Sequence, residues 1–174
     1  MDLSDVIFKS KRLMFVPLSI AYAEEIFKEF DYELTKYMCP APPKVIDETL
    51  DFIKDACEKM KAGTNYHCAV LSSSTKEFVG CAGIHKINTT KPELGLWVKR
   101  SQHSKGYGKE IIAALIDWTK KNYTVEYFIY PVDKRNIPSV KIPESYGAVA
   151  SRSYQHKSES NRLLKIIEYH IPAK

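Results

Sequence analysis

The chain has 174 residues, 44% of them apolar and 27% charged. That is the make-up of one ordinary globular domain, and at this length folding buries roughly 70% of the unfolded surface. Disorder, collagen and a miniature disulfide scaffold are excluded. Twenty-six basic residues against 21 acidic ones leave a net charge of +5 with no concentrated basic run, so a solvated surface explains the charge and no direct nucleic-acid partner is expected.

Met1 to Ser10 carries Asp2 and Asp5 and has no apolar block, so no signal peptide is expected. Lys11 to Leu18 has strand-like apolar density. Pro17 and Ser19 punctuate it before Ile20, Ala23, Ile26, Phe27 and Phe30, which recur at helical spacing. The longest charge-free stretch, Leu13 to Ala23, is well short of the ~20 apolar residues that span a bilayer, so no membrane partner is expected. Met38 to Lys44 holds three prolines and is expected as an ordered loop. A second helix starts at Asp47, carries Leu50, Ile53, Cys57 and Met60 on one stripe, and stops at Gly63.

The period then changes. Tyr66 to Leu71, Phe78 to Ile87 and Leu94 to Val98 are short apolar runs between polar turns, which predicts an antiparallel meander. Gly106 to Lys121 returns to helical spacing, and Val125 to Tyr130 is a buried strand. A short helix from Asn136 to Tyr146, irregular because of Pro143, and a strand at Leu163 to Ile171 close the chain. The order predicts a mixed α/β layer fold in a single domain, 1–174. Cys39, Cys57, Cys68 and Cys81 are 18, 11 and 13 residues apart. That spacing fits no metal site or redox pair and reads as reduced cysteines of a cytoplasmic protein.

The chemistry concentrates where the strand at Leu94 runs through a polar turn into the helix after Gly106. Gly106 and Gly108 let backbone N–H groups close on a ligand, and the unpaired donors of a helix start, with Lys105 and Lys109 beside them, would form an anion site suited to a phosphate or diphosphate; two glycines alone read equally as a tight strand-to-helix turn. A Walker loop would need glycine where His103 stands and Ser or Thr where Glu110 stands. A dinucleotide-binding turn would follow a first strand and carry three glycines. Neither fits.

The run Glu93 to Glu110 resembles the acyl-CoA-binding motif of the GNAT superfamily of N-acetyltransferases, with Gly106 and Gly108 in its glycine positions, His103 where Gln or Arg is usual and Ser104 where a further glycine is frequent. Other landmarks are similar to the branch that acetylates ribosomal-protein N-termini. They are the opening KRLMFVPLSIAYAEEIF, the Glu93-Leu94-Gly95-Leu96-Trp97 signature, Asn136 with Ser139, and Gly147. The resemblance implies an α/β (α+β) fold: a twisted, mostly antiparallel sheet of six to seven strands, helices on both faces, and fourth and fifth strands that splay apart. It implies acetyl-CoA as co-substrate and no metal. The pantetheine arm would pair with the backbone of Trp97, Val98 and Lys99. The diphosphate would sit on the turn of His103, Ser104, Lys105, Gly106, Tyr107, Gly108 and Lys109, with Asn136 beside the cofactor.

Transfer of an acetyl group to an amine needs a base, an oxyanion donor and a proton for the thiolate. Glu93 is the first candidate base or, equally, a solvated strand-end acid, with Glu159 as the alternative base that the resemblance offers. The Val98 N–H is the candidate oxyanion donor, and Ser139 is the candidate acid or, equally, a helix cap. Many relatives carry a tyrosine where this chain has Pro143. Tyr107, Tyr130 and Tyr146 are read as packing side chains. The expected partner is an amine acceptor, either a protein N-terminus or a small amine such as a polyamine or aminoglycoside, with a homodimer possible. The segments Tyr32 to Lys44 and beyond Ala148 are expected to form the acceptor pocket. A non-catalytic acyl-CoA-binding module and an RNA-associated protein are the competing readings.

Overall fold

The computed structural model describes residues 1–173. In chain order the elements are β1 (Phe8–Lys9), β2 (Leu13–Pro17), α1 (Ala23–Glu29), α2 (Ile46–Lys61), β3 (Tyr66–Ser72), β4 (Phe78–His85), β5 (Glu93–Val98), α3 (Tyr107–Asn122), β6 (Tyr127–Asp133), α4 (Ile137–Glu144), β7 (Val149–Lys157) and β8 (Leu163–Pro172). All strands join one sheet in the order β1, β2, β3, β4, β5, β6, β8, β7. Every neighbouring pair is antiparallel except β5 with β6.

The sheet has eight strands, against the six to seven implied by the resemblance. The additions are β1, only two residues long, and β7, whose nine residues are all exposed. β7, with both faces in water, shows no apolar alternation, and β1 is too short to show a period, so neither has a signal at the level of pattern. The predicted helix from Ile20 opens as a 3-10 turn, Ile20–Tyr22, before α1. Asp47 does not cap α2. Val45 is the extended residue before the helix, and Glu48 reaches back to accept the Lys44 N–H at 2.6 Å.

Helices cover both faces. Consecutive strand residues point to opposite sides. His67 meets the edge of Phe52 from α2, whereas its neighbour Tyr66 stacks with Trp118 from α3. On the α3 side Phe8 stacks on Phe15 at 4.7 Å between ring centroids and on Trp118 at 5.3 Å. The buried Tyr66 hydroxyl donates to Val6 O at 2.9 Å. Each fully buried side chain of this kind contributes about 1.5–3 kcal/mol. Among the described residues no helix is long and apolar enough to cross a membrane, and no group of three His, Cys, Asp or Glu side chains could hold a metal ion.

Pro143 sits inside α4, which ends within a turn of it at Glu144. Without an N–H it leaves Ser139 C=O without its helical donor. Asp133 pins the turn before α4: its buried carboxylate accepts from the Arg135 N–H and guanidinium and from the Lys165 N–H. Burial alone would raise that carboxyl, but these donors outweigh it and hold Asp133 below the usual range.

β4 leaves no room for a side chain at Gly80, where an added Cβ would lie 2.1 Å from Trp97 O and 2.9 Å from Val98 Cα. Gly80→Ala is expected to lower the unfolding free energy by about 3 kcal/mol, because backbone must move on both strands. A urea titration against the parent chain measures it, and a midpoint unchanged within error would contradict this packing.

Candidate active site

The site begins with the hydrogen-bonding phase of β5. Cys81 lies opposite Trp97, Gly83 opposite Gly95 and His85 opposite Glu93. The Lys99 N–H donates to Val79 O at 2.8 Å. This fixes the alternation: the backbone groups of Glu93, Gly95 and Trp97 turn to β4, and those of Leu94, Leu96 and Val98 turn to the opposite edge. On that edge β6 meets β5 at one register position, Glu93 with Ile129, where the Ile129 N–H donates to Pro92 O at 2.9 Å. Beyond it the strands part, and Leu96 N–H, Leu96 C=O and Val98 N–H face the gap.

Of Trp97, Val98 and Lys99, only Val98 therefore offers backbone to the gap. Leu96, absent from the sequence-derived set, is the other. The Trp97 ring packs against Phe30 and Phe78, at 5.3 and 5.7 Å between centroids, and Lys99 Nζ is held by Glu77 at 2.8 Å. Neither side chain is free to meet an anion.

The turn after β5 has two left-handed residues, Ser104 (φ 60°) and Gly106 (φ 76°). The first helical bond of α3 runs from the Glu110 N–H to Gly106 O, so the N–H groups just before it at the helix start have no intrahelical acceptor. Gly108 brings this start against the sheet and α4; a Cβ there would lie 3.2 Å from Ile142 Cδ1 and 3.6 Å from Leu96 Cδ1. His103 Nε2 donates to Val98 O at 2.7 Å, closing the turn from within, and Lys105 Nζ donates to Gln102 Oε1 at 2.8 Å. Lys109 is exposed. The sequence reading missed Arg12: its guanidinium lies over the Tyr107 ring at 4.5 Å, beside Gly106, and bonds Glu110 at 2.6 Å.

Inside the gap is a cavity of about 350 Å³ lined by Glu93, Leu96, Tyr130, Asp133, Asn136 and Ser139, among others. Ser139 does not cap α4. Its Oγ pairs with Tyr130 Oη at 2.7 Å, so Tyr130, read from sequence as packing, is bonded to the candidate acid. Burial pushes the Tyr130 hydroxyl up to about 12, so it keeps its proton at neutral pH. Asn136 ends the turn from β6, its side chain making no cap bond.

A second cavity, of about 710 Å³, opens on the α2 side and shares Glu93, Gly95 and Leu96 with the first. The expected loop, Met38 to Lys44, lines it, as does Glu159, and α2 adds Glu48, Thr49 and Phe52. Glu159 accepts the Ala41 N–H at 2.9 Å, so this carboxylate fastens the proline loop. Cys39 Sγ meets His156 Nε2 at 3.0 Å where the two cavities join.

Glu93 is half-buried between the cavities. Burial pushes its carboxyl above the ordinary range; Lys86 draws it partly back and Glu168 adds to the rise. His85, directly across the ladder, was not singled out from sequence. Asn65 Nδ2 lies 3.4 Å from His67 Nε2 and 3.3 Å from His85 Nδ1 and donates to both. The His85 proton is thus on Nε2, which lies 3.5 Å from where a Gly95 Cβ would stand. Both imidazoles stay neutral at pH 7, because burial lowers their basicity and drops His67 to about 4.

A family model described as an acetyltransferase (GNAT) domain matches residues 12–149. A curated relative, an uncharacterized N-acetyltransferase p20 of Bacillus licheniformis, is 26% identical over 117 residues, which is 66% of each chain. Similar solved structures include the ribosomal alpha-N-protein acetyltransferase RimL with coenzyme A (TM-score 0.84, 12% identity, 96% of this chain and 98% of that one). Another is a spermidine N-acetyltransferase from Vibrio cholerae with CoA and spermine (TM-score 0.81, 15% identity, 94% and 97%). With the parted strands and the glycine turn inside the span that the family model covers, the chain belongs to the GNAT acetyltransferase family.

Proposed function

We propose that the chain is an acetyl-CoA-dependent N-acetyltransferase that moves the acetyl group onto a primary amine by direct attack, with both substrates bound together. One observation carries the reading: a strand edge left open at Leu96 and Val98 lies between two cavities that meet at a single half-buried carboxylate, Glu93. The similar structures, which include enzymes named for a ribosomal protein and for spermidine, support an amine acceptor. The residues present fit the co-substrate. The open edge offers the alternating donors and acceptors that an amide-bearing arm pairs with. The free amides at the start of α3 suit a diphosphate, with Lys109 and Lys105 adding positive charge.

Each remaining task falls to a placed group. Glu93 takes the proton from the amine, directly or through a water, and so leaves a neutral nucleophile. The Val98 N–H donates to the oxygen that gains charge as the new C–N bond forms. Ser139 gives its proton to the departing sulfur as the C–S bond breaks and is reprotonated by the second proton that the nitrogen sheds as it becomes an amide, while Tyr130, a permanent donor at neutral pH, supports the Ser139 oxygen. Glu159 is a weaker candidate base because one of its oxygens is engaged by the Ala41 N–H. Thiol release from acetyl-CoA with a panel of amines tests the reading, and failure of acetyl-CoA to bind would remove it.

Glu93→Gln is expected to lower kcat by about 10²- to 10³-fold and to abolish the acid limb of the pH–rate profile. In the parent chain that limb should lie above the ordinary glutamate value of about 4.3, since rate is lost as pH falls through a raised pKa. The stability effect runs the other way. A carboxyl whose folded pKa lies above its unfolded one contributes stability below the unfolded value and loses it as pH rises through the folded one. Glu93→Gln should therefore melt no lower than the parent at pH 7, and a large drop would make Glu93 structural.

Ser139→Ala is expected to lower kcat with acetyl-CoA by about ten- to a hundredfold, and Tyr130→Phe by less. With an aryl thioester, whose thiolate leaves without help, both deficits should shrink. Deficits equal for the two thioesters would rule out proton donation to sulfur.

A further inference from the structure

The α2-side cavity has the opposite charge to the chain that contains it. Three carboxylates line it, Glu48, Glu93 and Glu159, against one ammonium, Lys44, although the chain as a whole carries +5. His67 and His85 add no charge at neutral pH. The carboxylates lie at two depths: Glu93 is half-buried at the junction with the gap, while Glu48 and Glu159 are exposed.

Both outer acids are held in place by the proline loop. One oxygen of Glu159 accepts the Ala41 N–H and one oxygen of Glu48 accepts the Lys44 N–H. Each keeps its second oxygen for an occupant. Thr49, next to Glu48, adds an independent sign. It is 3% exposed, lines the same cavity, and its Oγ1 has no hydrogen-bond partner. A buried hydroxyl left unpaired is costly unless something that enters the cavity satisfies it. Leu18, Ile26, Phe30 and Phe52 make the wall apolar.

Acid at the inner end, apolar wall, one unpaired hydroxyl and two acids at the mouth describe a molecule with a cation at each end and methylenes between. Resting on the N-acetyltransferase reading, we propose that the acceptor is a linear aliphatic diamine or polyamine, with its reacting amine at Glu93 and a second ammonium held by the free oxygens of Glu48 and Glu159. Where the stem carries an internal secondary amine, as in spermidine, Thr49 Oγ1 accepts its N–H. A monoamine leaves the outer acids unmatched, and a peptide N-terminus brings backbone amides to a wall that offers them few partners.

The test compares kcat/KM for 1,4-diaminobutane, spermidine, 1-aminobutane and a tetrapeptide with a free N-terminus, read as thiol release at saturating acetyl-CoA. The diamine and polyamine are expected to exceed 1-aminobutane by about tenfold or more, by an amount that shrinks as salt rises. Glu48→Gln with Glu159→Gln, which keeps an acceptor oxygen for each loop N–H, should bring that ratio towards one. Thr49→Val should weaken spermidine more than 1-aminobutane. A thermal shift with acetyl-CoA establishes that each variant is folded. Equal use of 1-aminobutane or of the peptide, or an unchanged ratio in the folded double variant, overturns the proposal and leaves the N-acetyltransferase reading standing. Absence of thiol release with every amine, in a protein that binds acetyl-CoA, overturns both.

Discussion

One incomplete ladder organises this molecule. β5 gives every second backbone group to β4 and would give the rest to β6, yet the two strands share only the pair Glu93 and Ile129. Strand groups without partners are expensive in a protein interior and useful at a site, because they are rigidly placed by the half of the strand that is paired. The ladder to β4, extended by the Lys99 N–H bond to Val79 O and allowed by the bare Gly80, holds β5 on its paired side while its other edge stays open. The turn beyond β5 then bends back, closed by the His103 bond to Val98 O, and brings the amides of α3 to the same gap.

The gap joins two chambers of different character. On the α3 and α4 side a neutral hydroxyl pair, Tyr130 and Ser139, faces a helix turn fixed by the buried Asp133 carboxylate and its donors. On the α2 side neutral imidazoles, apolar walls and carboxylates meet under a loop that its prolines stiffen and two glutamates fasten. Glu93 belongs to both. A carboxylate kept half out of water is raised in pKa and made a better proton acceptor, at a cost in stability that the surrounding core bears.

Much of this was legible in the order of residues. The switch from helical to strand periodicity placed α2, β3, β4, β5, α3 and β8 close to where they fold, because a buried face imposes its period on the side chains that cover it. Gly106 and Gly108 marked the helix start because few other residues allow so close a backbone turn. β7 was illegible for the converse reason: its nine residues bury no face and carry no period. Thr49 and His85 were equally silent, since a threonine on a helix and a histidine in a strand are ordinary until their surroundings are known.

The sequence by itself determined the elements other than β1 and β7, the glycine turn, the proline loop and the acid at the head of β5, all set by local conformational preference and by side-chain period. Only the tertiary structure decided which edge of β5 stays open, that Tyr130 meets Ser139 rather than merely packing, and that Glu48 and Glu159, 111 positions apart in the chain, fasten one loop. Those outcomes depend on hydrogen-bond phase and on contacts between distant segments. They are fixed when the sheet closes and the buried backbone groups pair off across it, and no local pattern encodes them.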